Sequence, residues 1–237
     1  MAKNCSSGQK NKSRPRWRAL LLVSAALVLS VEKAAAANTE LERPMCWGWV
    51  EEMLFDEWRA LANSNGRPHK APAGIIFEAQ SVAAADGKQL RGYRAFSASA
   101  HAPVQQSAVL IAPGNAMLAD QLYEVAAFFA ERGKMAYVFD YRGYGDSDGS
   151  PYSTAIIDDY KKLLAFIRST GHLRIGVYAM SFGGIVVLSA LRHEGGIDAL
   201  VVDGVPSRLP WVAMCPDSLD PINSISAAPQ RTLVLSG

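Results

Sequence analysis

The chain has 237 residues, 49% of them hydrophobic and 19% charged, which describes a globular protein with a sizeable core and excludes a disordered one. Its formal net charge of +2 is misleading, because residues 1–37 hold seven Lys/Arg against one acid and leave 17 basic and 21 acidic residues beyond them. That mildly acidic body offers no electrostatic footprint for nucleic acid.

Residues 1–37 have the layout of a targeting leader. Lys3, Lys10, Lys12, Arg14, Arg16 and Arg18 form a basic n-region, residues 19–31 are an uncharged apolar run, and residues 34–37 are alanines of the kind a signal peptidase accepts. The run of 13 residues falls short of the roughly 20 needed to span a bilayer. The expectation is a cleaved export signal with a periplasmic or secreted product. An uncleaved membrane anchor, with the alanines extending the helix, is the alternative. Once Cys5 leaves with the leader, Cys46 and Cys215 remain; they either pair in an oxidising compartment or stand as two unpaired, buried thiols.

Residues 38–72 read as a separate helical extension. Val50, Leu54, Trp58 and Leu61 recur at helical spacing, with Glu51, Glu52 and Asp56 off that stripe, and Asn63-Ser64-Asn65-Gly66 and Pro68 end the helix. The acidic polar face favours packing onto the domain over a membrane-surface helix. From residue 73 the pattern becomes regular. Residues 75–77 and 89–96 read as strands, with Asp86-Gly87 as turn chemistry between them. Further strands are expected at 107–112, 135–140, 174–179, 198–203 and 232–236, and helices at 119–132, 154–169 and 182–192, with 206–228 irregular. Apolar strands alternating with amphipathic helices predict a mostly parallel sheet with helices on both faces.

Chemistry concentrates at residues 173–184, LRIGVYAMSFGG. An apolar run stops at Ser181, with Ala179 two residues before it and Gly183 two after, a near-match to the G-x-S-x-G nucleophile elbow. Small neighbours suit a sharp strand-to-helix turn, where backbones crowd together and the serine holds strained dihedrals. Two more landmarks precede it. They are Val109-Leu110-Ile111-Ala112-Pro113-Gly114-Asn115-Ala116 and Asp140-Tyr141-Arg142-Gly143-Tyr144-Gly145-Asp146-Ser147. In order and spacing the three resemble the α/β-hydrolase superfamily, and the middle one is similar to the D-x-R-G-x-G-x-S loop of its serine aminopeptidase and monoacylglycerol lipase branch.

The resemblance covers residues 73–237 and implies an α/β-hydrolase domain. Ser181 would be the nucleophile, and the backbone N–H groups of Phe182 and Asn115 would form the oxyanion hole. Pro113-Gly114 stands where many relatives have His-Gly. Asp140, Arg142, Asp146 and Ser147 are expected to tie down their own loop rather than touch substrate.

The resemblance also places an acid after the strand at 232–236 and a histidine one strand later, so the sheet is expected to miss its last strand and helices and the chain to be an incomplete hydrolase. Four histidines are available. His172 precedes the elbow strand, at the sheet edge away from Ser181, and His101 falls between the second and third strands, which the resemblance also places at that far edge. His193 sits some 12 residues along the elbow helix, roughly 18 Å away at 1.5 Å per residue. His69 alone meets no such objection. Asp203 ends its strand on the edge where Ser181 stands.

No metal-ligand spacing or phosphate-cradling loop occurs, so no metal and no cofactor is expected. The resulting expectation is a serine hydrolase acting on a small-molecule ester, thioester or amide through an acyl-enzyme at Ser181, inactive as this chain for want of its base. The alternatives are a non-catalytic binding protein of the same fold and a peripheral membrane protein held by its N-terminal segment.

Overall fold

The computed structural model describes residues 46, 48–64, 70–99, 106–192, 196–209, 215–229 and 231–235. The leader, His69, His101 and His193 lie outside them. Seven strands form one sheet in the order β1-β2-β4-β3-β5-β6-β7: β1 Ile75–Ala83, β2 Gln89–Ser97, β3 Ser107–Ala112, β4 Met135–Phe139, β5 Arg174–Met180, β6 Ala199–Asp203 and β7 Thr232–Leu235. β1 pairs antiparallel with β2, and β2 antiparallel with β4. From β4 through β3, β5 and β6 to β7 every pairing is parallel. β1 is six residues longer than the expected 75–77, because its alternation of exposed and half-buried positions carries no continuous apolar run. Asp86 closes the β1–β2 turn by accepting from the Lys88 N–H at 3.2 Å.

The helices are α1 Gly48–Ser64, α2 Tyr123–Glu131 (entered through the 3₁₀ turn Ala119–Leu122), α3 Ser153–Ser169, α4 Phe182–Leu191 and the single turn α5 Pro221–Ser224. Two buried clusters reflect the period-2 alternation of the strands. Leu110, Tyr137, Val177 and Leu200 point to the face packed by α3 and α4. Ile111, Ala136 and Val138 point to the other, where Leu122 and Ala126 meet them. Segment 206–228, expected to be irregular, holds the helical turns Asp217–Leu219, Pro221–Ser224 and Ile225–Ala227. β7 carries Leu233 and Val234 more than half exposed.

α1 belongs to the same core as the sheet. Phe55 and Ala62 are buried while Leu61 is exposed, so the inward stripe is rotated from the expected Val50–Leu54–Trp58–Leu61 line. The cause is Glu51, which is buried rather than solvated. Its Oε1 accepts the Ser153 N–H at 2.6 Å, and its Oε2 accepts the Cys46 N–H at 2.8 Å. At the other end of α1, the Gln121 side chain donates to the Ala62 carbonyl at 2.8 Å. Cys46 is joined by a disulfide to Cys215, 169 residues away, which resolves the choice between paired and free thiols.

The loop after β4 is held as its polar side chains suggest. The Arg142 guanidinium is buried, makes a two-pronged contact with Asp159 of α3 at 2.7 and 2.6 Å, and reaches Asp86 at 3.0 Å. Ser147 Oγ donates to the Asp140 carbonyl at 2.9 Å and accepts from the Arg91 N–H. Asp140 Oδ1 accepts from the Ala119 N–H. The loop is thus locked to the β1–β2 hairpin, to α3 and to the approach of α2. Arg142 reaches further than its own loop.

Candidate active site

Ser181 stands between β5 and α4 with φ 46° and ψ −117°, and it is the sole non-glycine residue with positive φ among the described residues. Such a conformation costs an L-residue about 1–3 kcal/mol and persists only where its surroundings over-determine it. Here the Ser181 N–H donates to the Asp203 carbonyl at 2.8 Å, and the Ser181 carbonyl accepts from the Gly184 N–H at 2.9 Å. Both bonds pin the turn. The crowding at Gly183 comes from a different direction than the turn alone suggests. A Cβ there would lie 2.5 Å from the carbonyl oxygens of Ala112 and Pro113, so β3 rather than the preceding strand backbone demands the glycine. Ala179 is fully buried beneath the turn.

The three candidate site residues, Ser181, Asn115 and Phe182, line one cavity of about 330 Å³. Phe182 is the first residue of α4, where backbone N–H groups have no partner within the helix and the helix dipole favours negative charge. Asn115 lies in the loop after β3, whose entry is fixed by a hydrogen bond from the Tyr141 hydroxyl to the Pro113 carbonyl. Burial among Tyr160 and Tyr144 pushes the Tyr141 phenol well up, so it stays a neutral donor.

The rest of the lining was not legible as site residues. α1 contributes Leu54, Phe55 and Trp58, α3 contributes Ile157, and the segment after β6 contributes Pro206, Leu209 and Leu219; the Cys46–Cys215 bond also faces the cavity. Phe182 packs edge-on to Phe55 with centroids 5.6 Å apart and lies 5.8 Å from the Trp58 ring. The signal for this wall was the Glu51–Phe55–Trp58–Ala62 spacing, which places an acid in an apolar phase.

His172, the one histidine among the described residues, stands just before β5. Its Nε2 lies 3.1 Å from the Tyr137 hydroxyl. β5 runs seven residues from there towards Ser181, so at ~3.3 Å per residue the two are separated by about 25–30 Å. The Asp203 carboxylate is near the serine's edge of the sheet and accepts from the Tyr178 hydroxyl at 2.6 Å. Burial and that carboxylate push the Tyr178 phenol up to about 12. Among the described residues no group of three or more His, Cys, Asp and Glu could hold a metal ion, and no helix is long and apolar enough to cross a membrane.

Known proteins resemble this chain in both sequence and fold. The serine aminopeptidase (S33) family model matches residues 103–212. The uncharacterized protein YfhR of Salmonella typhi is 28% identical over 186 residues, covering 68% of this chain and 64% of the relative. A thiohydrolase of Eupenicillium brefeldianum is 34% identical over 113 residues, covering 44% of this chain and 35% of that one. An esterase from Pyrococcus furiosus superposes with a TM-score of 0.55 at 18% identity, over 71% of this chain and 76% of that chain. A hypothetical protein from Pseudomonas aeruginosa gives a TM-score of 0.51 at 20% identity, over 59% of this chain and 46% of that one. The chain therefore spans between about half and two-thirds of the length of the YfhR relatives it matches, 49% and 64% for the two Salmonella proteins. The mostly parallel sheet, the elbow at Ser181, the family match over residues 103–212 and the structural neighbours agree: this chain has the α/β-hydrolase fold.

Proposed function

We propose that this chain is the catalytic core of a serine hydrolase that cleaves an ester, thioester or amide through an acyl-enzyme at Ser181. The observation that carries the reading is the strained backbone of Ser181 at a strand-to-helix junction, opening into an apolar cavity. Strain of this kind has no structural purpose in a strand-end serine, whereas it lifts a nucleophilic Oγ clear of its neighbours. Attack on the acyl carbonyl puts negative charge on its oxygen. The Phe182 N–H, backed by the dipole of α4, and the Asn115 N–H are the donors that would receive it. A serine hydroxyl needs a base to take its proton. The described residues bring no histidine to Ser181, and the family resemblance places that base beyond the strand corresponding to β7. The names of the thiohydrolase and of a polyketide transferase from Penicillium crustosum, 32% identical over 113 residues, support acyl-transfer chemistry.

Fluorophosphonate labelling tests the reading, since the probe reacts with an activated serine. The 237-residue chain is expected to stay unlabelled. A form extended through any coding sequence that follows residue 237 is expected to label, and Ser181→Ala to abolish that labelling. Strong labelling of the 237-residue chain would place a base at Ser181, with His69 the first residue to substitute. A folded, extended form that never labels favours a non-catalytic binding protein.

We further propose that the protein is exported. The basic leader with its apolar run and alanines supports this, and so does a disulfide, a bond that persists in oxidising compartments.

A further inference from the structure

The cavity at Ser181 has one wall that the hydrolase motifs do not supply. Leu54, Phe55 and Trp58 face it from α1, a helix that precedes every strand of the sheet in the chain. α1 is attached at a few defined points. They are the Glu51 carboxylate on the N–H of Ser153, the Gln121 amide on the Ala62 carbonyl, the packing of Phe55 and Trp58 on Phe182, and the disulfide. The disulfide joins the two non-sheet walls, since Cys46 leads into α1 and Cys215 belongs to the segment between β6 and β7. Among the described residues no Lys, Arg or His lines the cavity, and each oxygen of the one carboxylate there, Glu51, already accepts a backbone N–H. A charged group entering here would find no counter-ion, so the occupant is an uncharged apolar group.

We infer that α1 is the specificity wall of this site: Trp58 and Leu54 set the length of the apolar acyl chain that enters, and the Cys46–Cys215 bond fixes where that wall stands. The inference rests on the reading of Ser181 as the acyl-transfer centre. A dithiol reductant would cleave the bond, supplying two electrons and two protons to give two thiols and leaving as its own disulfide. α1 is then free of the 206–219 side of the cavity, and the apolar surface offered to the acyl chain shrinks.

Calorimetric titration of the oxidised 237-residue chain with linear amides from acetamide to dodecanamide tests this, because the 237-residue chain, with no base brought to Ser181 by the described residues, is expected to bind them without turnover. Affinity is expected to rise about fourfold per methylene up to a cut-off length. Trp58→Ala is expected to move the cut-off at least two carbons longer, with Trp58→Phe close to wild type. Dithiothreitol treatment, or Cys46→Ser with Cys215→Ser, is expected to weaken decanamide binding at least tenfold with the far-ultraviolet circular dichroism unchanged. An unchanged chain-length profile in folded Trp58→Ala overturns the assignment of the wall. Reduction that leaves decanamide affinity intact overturns the role of the bond, and so does reduction that unfolds the whole chain, which would make it a general staple. Amide binding without fluorophosphonate labelling of the extended form defeats the serine reading alone, and labelling without length-dependent binding defeats the wall alone.

Discussion

The carboxylate of Glu51 accepts a 2.6 Å hydrogen bond from the backbone N–H of Ser153, a residue 102 positions later in the chain. Ser153 is the first residue of α3, and its preceding residue, Tyr152, makes no side-chain cap. The N-terminus of α3 is therefore capped from another helix. The same carboxylate holds the Cys46 N–H, so one buried acid anchors α1, satisfies a helix end and positions the disulfide. A negative group at a helix N-terminus also gains from the dipole.

Glu51→Ala should therefore destabilise the chain by about 2–4 kcal/mol, since it strands one buried and one half-buried N–H donor that had a charged acceptor. Glu51→Gln keeps one acceptor oxygen and should lose about half as much. Urea unfolding of the two variants against wild type checks the order. A loss below about 0.5 kcal/mol for Glu51→Ala, the range of ordinary surface changes, would show that α1 contributes little to the fold.

At the elbow two substitutions are expected to move stability in opposite directions. Ser181→Gly relieves an L-residue held at φ 46° and should raise stability by up to about 1 kcal/mol. Gly183→Ala drives a Cβ to 2.5 Å from two backbone carbonyl oxygens, which no rotamer change can relieve, and should lose more than about 3 kcal/mol. Thermal unfolding separates them. Equal destabilisation by both would mean that the serine conformation is not strained.

The positions of the central strands, the elbow and the loop around Arg142 were legible because each leaves a local signature. An apolar run of five or six residues announces a strand such as β4, and the small residues around Ser181 announce a turn. The α1 wall of the cavity left only an acid in an apolar phase, which does not say where the helix sits. Its position follows from Glu51 reaching Ser153 and from Cys46 reaching Cys215, and contacts across 102 and 169 residues have no periodicity to read. The rotated stripe of α1 has the same origin. Glu51 occupies an inward position because distant N–H donors await it there, whereas hydropathy alone assigns an acid to solvent. β1 was underestimated for the opposite reason, since an edge strand exposed on alternate residues lacks the apolar run of a central one.

Export makes a prediction for the leader. If signal peptidase acts after the alanines at 34–37, the mature protein should begin at about Asn38. Intact-mass spectrometry of protein from its native host reads this directly. An N-terminus still carrying residues 1–37, found in the membrane fraction, would replace the secreted form with an anchored one.

The last prediction concerns pH and the cluster of Asp86, Arg142 and Asp159. One guanidinium faces two carboxylates, and the three side chains are 1–3% exposed, so with both acids ionised the cluster carries an uncompensated negative charge in the interior. Burial pushes the Asp159 carboxyl up to about 6, against the pull of Arg142 and with a smaller push from Asp86. That lies above the ordinary aspartate value of about 3.9 that the unfolded chain retains. A carboxyl with a raised native pKa binds its proton more tightly when folded. Its contribution to stability is therefore fully present below about pH 4 and is lost as the pH rises through about 6. Other carboxylates pull the total the opposite way, so the comparison has to be with Asp159→Asn, which removes this titration. The stability of wild type relative to Asp159→Asn, from urea midpoints, should grow as the pH is lowered from 7 to 4.5. A difference that shrinks over that interval would mean that Arg142 holds Asp159 ionised after all, which a carboxylate carbon titration of Asp159 by NMR would read directly.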